Sequence, residues 1–196
     1  MLTNPNETDP FHVARIHTPC QMTQNDRFSS VWDRCGGGQE RFVIDRGRRG
    51  ESDTHSHVAP TEQRLTGAPR IWGGVHDDNA ALLGGTAGHA GTFTTANDLA
   101  GYAEHLLDPE HPLHTWLTTS RAPQAPIEPG LDRGLAWLVA DDGNVVYHHG
   151  WTGTSLFLAP TTGRYIAICT NAVYHGPPGP RLASLRTLAR KTITAT

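Results

Sequence analysis

A series of apolar segments separated by turn signals, between residues 134 and 170, constrains the fold most strongly. The segments lie at residues 134–140, 145–149, 154–159 and 165–169. Short connections, Asp-Asp-Gly-Asn at 141–144 and Pro-Thr-Thr-Gly at 160–163, are typical of turns between antiparallel neighbours. The last segment is apolar at every position, as expected of a central strand that is covered on both faces. The pattern therefore predicts an antiparallel meander.

Helical patterns precede the predicted strands. Thr95 can cap a helix, and Asp98 stands three residues later, where its side chain can reach back to the cap. Apolar residues follow at helical spacing up to residue 107, and a shorter helix is predicted over residues 113–119. Three prolines in residues 120–132 predict a loop between this helix and the first strand.

A helical stripe follows the last predicted strand. Apolar residues, including Leu188, recur at helical spacing over residues 182–189 and predict a C-terminal helix that packs on the sheet. Together, these patterns predict the α+β class, with an antiparallel sheet and flanking helices.

The composition of the chain changes near residue 57. Residues 1–57 have little periodic pattern and predict a poorly defined N-terminal segment with one short strand at 42–44. The arginine cluster at 46–50 could contact phosphate or form a solvated loop. Residues 58–196 are expected to form the ordered portion.

Charge and hydropathy exclude several classes of partner. The 16 Lys and Arg residues nearly balance the 19 Asp and Glu residues, so a broad nucleic-acid surface is not expected. No apolar stretch is long enough for a membrane span, and the N-terminus lacks the pattern of a signal peptide, so a cytoplasmic location is expected. The only lysine, Lys191, lacks the preceding glycine of a phosphate-binding loop. No cofactor is expected.

Three segments carry chemically informative residues in a characteristic order. The first is Val-His-Asp-Asp-Asn-Ala at residues 75–80. The second, within residues 85–100, contains the glycine-rich sequence Gly-His-Ala-Gly and the predicted helix start. The third is His-His-Gly-Trp-Thr-Gly-Thr-Ser at residues 148–155. In these segments the chain resembles the C-terminal half of the serine β-lactamase-related hydrolases. That group includes class C β-lactamases, D-alanyl-D-alanine carboxypeptidases and similar esterases. The resemblance covers about residues 58–192 and implies part of a β-lactamase/transpeptidase-like fold.

The resemblance implies acyl transfer at a serine. A Ser three residues before a Lys attacks the carbonyl, a Tyr or Ser two residues before an Asn assists, and a Lys- or His-Thr-Gly strand lines the site. His148 matches the first position of that strand motif, and the backbone N–H of Trp151 matches an oxyanion donor. These two are the catalytic candidates. The candidate substrate-binding residues, for a small-molecule or peptide-like substrate, are His89, His149, Gly150, Thr152 and Gly153.

Two motifs of the family are absent from this sequence. Leu188 stands three residues before the only lysine, so there is no Ser-x-x-Lys, and no Asn is preceded by Tyr or Ser at the required spacing. His149 also replaces the usual Thr of the third motif. The combination predicts an inactive fragment of a serine hydrolase, whose uncovered apolar surface would favour oligomers.

Two other classes of function stay open. One is a non-catalytic ligand-binding or degenerate protein. The other is a metal hydrolase that would use His55 and His57 with His76 or His89. Ser155 lies near two histidines, but it lacks the Gly-x-Ser-x-Gly elbow of a serine nucleophile.

Several candidates also have a purely structural explanation. His148 could be a strand histidine bonded to its neighbours, and Trp151 could be a core tryptophan whose backbone still serves the site. His149 alternates with His148 along a strand and is expected to pack rather than to react. His89 is expected to brace a loop, and Asp77 to cap a helix or form a turn.

Overall fold

The computed structural model describes residues 58–85 and 87–195, together with the short pairs 11–12, 16–17 and 43–44. The prediction of one strand near residues 42–44 is confirmed at Val43–Ile44. The arginine cluster at 46–50 and the proposed ligands His55 and His57 lie outside the described residues. The division of the chain near residue 57 stays a prediction.

The described part of the chain contains ten strands and four α-helices. In chain order the strands are β1 Phe11–His12, β2 Ile16–His17, β3 Val43–Ile44, β4 Thr92–Phe93, β5 Ala125–Glu128, β6 Leu131–Arg133, β7 Leu138–Ala140, β8 Val145–His149, β9 Ser155–Ala159 and β10 Arg164–Thr170. The helices are α1 Asp78–Leu82, α2 Ala96–Leu107, α3 Pro112–Ser120 and α4 Pro180–Thr194, with a 3-10 turn at Asp141–Gly143.

The main sheet is an antiparallel meander, as the turn signals predict. Its order is β1-β10-β9-β8-β7-β6-β5, with β2 also paired to β10, while β3 and β4 pair separately. The α+β class with an antiparallel sheet and flanking helices is therefore confirmed. Two residues at the end of β8, His148 and His149, lie beyond the last β7–β8 pair, which joins Leu138 to Tyr147.

The proline-rich segment departs from its prediction. Residues 120–132 were expected to be a loop, but they contain most of the β5–β6 hairpin, which turns at Gly130 with a φ of 78°. Pro126 is tolerated because β5 is the edge strand, where a missing N–H removes no ladder bond. The strand predicted over 134–140 is confined to Leu138–Ala140, since Ala136 takes a left-handed φ of 68°.

Helices cover both faces of the central strands. On one face, α2 and α3 pack through Ala103, Leu106 and Leu117 against side chains of the sheet that include Val146 and Leu158. On the other face, α4 packs against a second cluster, whose members include Tyr147, Phe157, Ile166, Ile168, Ala189 and Ile193. The two clusters explain why the middle strands are apolar on both sides.

The C-terminal helix packs through the predicted stripe except at Leu188. Leu182 and Ala189 are buried together with Ile193, and Leu185 is partly buried against the same cluster, whereas Leu188 is exposed. Positions 182, 189 and 193 recur at multiples of the helical period, and Leu188 lies about 100° away from Ala189 around the axis. No helix within residues 58–85 and 87–195 is long and apolar enough to cross a membrane. Self-association stays a prediction.

Candidate functional site

The candidate residues of the third motif meet at the end of β8 and in the turn that leads to β9. The Gly150 N–H donates to the Thr154 carbonyl at 2.8 Å, toward β9. Because backbone groups alternate along a strand, those of His149 lie at the opposite edge, beyond the end of β7. Among the described residues, the Trp151 N–H has no hydrogen-bond acceptor. The turn that follows this edge therefore offers a backbone donor to an incoming carbonyl group.

His148 is exposed, and one of its ring nitrogens has a hydrogen-bond partner in the backbone. Nδ1 lies 2.8 Å from the carbonyl oxygen of Ala136, which can only accept a hydrogen bond, so Nδ1 carries the proton. In the neutral ring Nε2 is then the acceptor, and in the charged ring it is a second donor. The side chain shares a sheet face with Val146, on the side of α2 and α3.

His149 packs on the other face, as strand alternation predicts. Its ring lies 4.9 Å from the ring of Tyr147 and 5.2 Å from that of Phe157, measured between centroids. Burial, aided by the nearby charge of Arg186, lowers the pKa of His149 to about 4. The ring is therefore neutral over the physiological range, and it packs against the core on the α4 side.

The two glycines of the turn have different structural roles. Gly153 has a φ of 117°, and a Cβ there would lie 2.0 Å from Oγ1 of Thr170. Next to it, the Thr152 carbonyl accepts the Ala172 N–H at 2.9 Å, so the turn is fastened to the chain after β10. At Gly150 the nearest atoms to a Cβ would be 3.6 Å away. Only Gly153 is required by the local geometry.

Arg186 joins α4 to this turn, and nothing in the sequence pattern points to that role. Its Nε donates to Oγ of Ser155 at 2.9 Å, and its Nη2 donates to the Gly150 carbonyl at 2.7 Å. Burial lowers the pKa of the Arg186 guanidinium. Ser155 is 1% exposed and already accepts from Arg186, so it is a structural residue rather than a nucleophile.

For Trp151 and His89, the structure tests the purely structural explanation. The Trp151 side chain is 63% exposed, so the alternative of a core tryptophan is wrong. His89 Nε2 lies 3.0 Å from Oδ1 of Asp77, the residue that caps α1 by accepting the Ala80 N–H. Those two contacts lower the pKa of Asp77, with the Ala80 N–H contributing most. The expected loop brace and helix cap are therefore confirmed.

The metal-site residues that the structure describes lie in separate pairs. His76 Nε2 lies 3.1 Å from Oε1 of Glu62, while His89 is paired with Asp77. Within the part of the chain that the structure describes, no three His, Cys, Asp or Glu residues are arranged to hold a metal ion.

The chain is similar to several known proteins, and a family model matches most of it. The family model described as Beta-lactamase matches residues 44–191. A putative D-alanyl-D-alanine carboxypeptidase of Escherichia coli (strain K12) is 28% identical in a 126-residue alignment that covers 52% of this chain and 27% of the relative. A crystal structure of a beta-lactamase from Mycobacterium bovis aligns with a TM-score of 0.41 and 18% identity, over 53% of this chain and 44% of that one. The chain thus spans about a quarter of the curated relative.

Proposed function

The chain belongs to the beta-lactamase family, and we propose that the end of β8 is the substrate-lining edge of an acyl-transfer site. The observation that carries the proposal is that β8 extends beyond β7 and is followed by a turn in which the Trp151 N–H has no acceptor among the described residues. A backbone donor in a fixed turn suits the oxygen of a polarised carbonyl. The ligand class is that of β-lactams, esters and peptide termini.

A peptide-like ligand suits this edge for a second reason. The backbone groups of His149 lie beyond the end of β7, so an extended peptide could pair with them as an added strand. His148 lies beside the same edge with Nδ1 bonded to Ala136, and Nε2 can accept from the ligand or, when protonated, donate to a carboxylate. A peptide ending in D-alanyl-D-alanine carries both the carbonyl and the carboxylate that these groups would bind.

We propose that this chain alone binds such ligands without turning them over. Acyl transfer at a serine requires a base beside the hydroxyl, and the sequence has neither Ser-x-x-Lys nor Tyr-x-Asn. The serine next to the motif, Ser155, is buried and bonded to Arg186. Binding a carbonyl through backbone N–H groups needs no nucleophile. The groups for turnover would have to come from residues outside this sequence.

Binding is tested by titrating the 15N-labelled chain with diacetyl-L-lysyl-D-alanyl-D-alanine and following backbone amide signals. Saturable changes are expected at Gly150, Trp151 and Thr152. Trp151→Ala keeps the backbone N–H and should bind equally well, whereas Trp151→Pro lacks it and should not bind. Absence of saturable changes at these amides would refute the proposed site.

Lack of turnover is tested separately, with a fluorescent penicillin and the chromogenic substrate nitrocefin. The expected result is no covalently labelled serine and no hydrolysis above the rate in buffer. A serine adduct at one equivalent per chain, located by mass spectrometry, would instead establish this chain as a complete hydrolase.

A further inference from the structure

The last residue of α3, Ser120, makes contacts that a surface loop would not need. It is 2% exposed, and its Oγ accepts the indole N–H of Trp137 at 2.9 Å while donating to the Leu117 carbonyl at 3.3 Å. Its own carbonyl accepts the Leu135 N–H at 2.7 Å. Buried Ser120 is therefore hydrogen-bonded to residues 134–137 at two groups, the Leu135 N–H and the Trp137 indole N–H.

Ala136 lies between these two attachments and has an unusual backbone conformation. The Gly134 N–H donates to the Trp137 carbonyl at 2.9 Å and closes a tight turn, and a Cβ at Gly134 would lie 2.6 Å from the Ser120 carbonyl oxygen. Within that turn Ala136 has a φ of 68°, a region that residues other than glycine rarely adopt. Such a conformation persists only where its surroundings hold it.

The consequence of this conformation is seen at His148. The Ala136 carbonyl oxygen lies 2.8 Å from Nδ1 of a ring that is otherwise exposed. A carbonyl oxygen offers no proton, so this contact favours the tautomer with the proton on Nδ1 and leaves Nε2 unprotonated in the neutral ring. An exposed histidine without such a partner would interconvert freely between tautomers.

We propose that Ser120 and Ala136 are positioning residues that hold His148 in its Nδ1–H tautomer and present Nε2 to the ligand. The part of this inference that concerns the ligand rests on the proposed function, whereas the tautomer does not. Ser120 acts through Trp137 and Leu135, and Ala136 acts through its carbonyl group. Neither residue touches the ligand.

The tautomer is measured on the full chain without ligand, from long-range 1H–15N correlations of the imidazole rings in mildly alkaline solution. His148→Ala identifies the signals of His148 by their loss. The expected spectrum has a protonated Nδ1 and an unprotonated Nε2. A predominant Nε2–H tautomer, or an even mixture, would overturn the inference.

Two variants test the role of Ser120 and Ala136. Trp137→Phe keeps an aromatic ring in the core but removes the N–H bonded to Ser120, and the ratio of Nδ1–H to Nε2–H tautomers should fall at least threefold. Ala136→Gly keeps the carbonyl and adopts a positive φ without strain, so its ratio should match that of the wild type. An unchanged ratio in a folded Trp137→Phe chain, judged by near-ultraviolet circular dichroism, would overturn the role of Ser120.

Exposed substitutions at position 148 test the ligand contact without risk to the core. The amide nitrogen of Asn can replace Nδ1, and the amide of Gln can replace Nε2. His148→Gln should therefore keep affinity for the D-alanyl-D-alanine peptide within about twofold, while His148→Asn should lose at least fivefold. The opposite order would overturn the assignment of Nε2. If wild type itself does not bind, the proposed function fails, and the ligand-free tautomer measurement still decides the positioning inference.

Discussion

Acidification is expected to destabilise the fold through His149. The pKa of this ring is lowered to about 4, first by burial and then by the charge of Arg186, whereas an unfolded histidine titrates near 6.5. Between those two values the unfolded chain binds a proton that the folded chain excludes. The stability contributed by the neutral ring is therefore complete above pH 6.5 and is lost as the pH falls toward 4.

The size of this loss follows from the same pKa difference. At about 1.36 kcal/mol per pH unit, a fully buried ring would lose about 3.4 kcal/mol. Because His149 is only half-buried, solvent screens part of the effect, and we expect a loss of about 2 kcal/mol in the free energy of unfolding.

The assay is urea denaturation of wild type and His149→Phe at about pH 7.5 and about pH 4.5. The phenyl ring keeps the contacts with Tyr147 and Phe157 but gives up the Nδ1 contact with the His148 carbonyl at 3.1 Å. The variant should lie within about 1 kcal/mol of wild type at the higher pH and be the more stable protein at the lower pH.

Two comparisons isolate the effect. Tyr147→Phe changes a neighbouring ring of the same cluster and should keep the wild-type dependence on pH. The pKa of His105 is also lowered, by burial and by His111, so it acts in the same direction, but it is present in every variant and cancels. If His149→Phe loses as much stability on acidification as wild type does, the reasoning is wrong.

Three further predictions concern the turn and the helices, each measured by urea denaturation. Gly153→Ala should lower the free energy of unfolding by about 3 kcal/mol or more, because the new Cβ would lie 2.0 Å from Oγ1 of Thr170 at a residue with a positive φ. Gly150→Ala should change it by no more than about 1 kcal/mol, and equal losses in the two variants would contradict the geometry. Thr95→Ala should cost about 1 kcal/mol by removing the cap of α2, and Thr95→Ser should restore it; a neutral Ala variant would show that the capping box contributes nothing. Arg186→Met should cost about 1–3 kcal/mol because buried Oγ of Ser155 loses its donor, and an unchanged stability would show that this link is dispensable.

The features predicted correctly from the sequence are those whose causes are local. β8 begins and ends at the predicted residues because the Asp-Asp-Gly-Asn turn fixes one end of the strand and Gly150 follows the other. The reciprocal bonds between Thr95 and Asp98 need only four consecutive residues, so the start of α2 could be predicted. Strand alternation likewise predicted that His148 and His149 lie on opposite faces of the sheet and that the ring of His149 is the packed one.

The features that were missed depend on contacts between distant residues. Pro126 normally argues against a strand, and only its place at the edge of the sheet makes it acceptable in β5. The left-handed turn at Ala136 depends on Ser120, which lies in another element. Arg186 reaches Ser155 across 31 positions of sequence, and an arginine on a helix gives no signal of such a contact.

The same distant contacts decide what the candidate site can do. The end of β8 is held from one face by Arg186 of α4, which binds the Gly150 carbonyl, and from the other by the Ala136 carbonyl, which binds His148. Gly153 lies against Thr170, whose Oγ1 donates to the Gly153 carbonyl at 3.1 Å, so the turn between β8 and β9 is also held in place. A donor held in this way need not be reorganised when a carbonyl binds, and that property does not depend on a nucleophile. On the proposed function, a chain without the catalytic serine and lysine motifs keeps the part of the site that binds the carbonyl, and binding and turnover must therefore be measured separately.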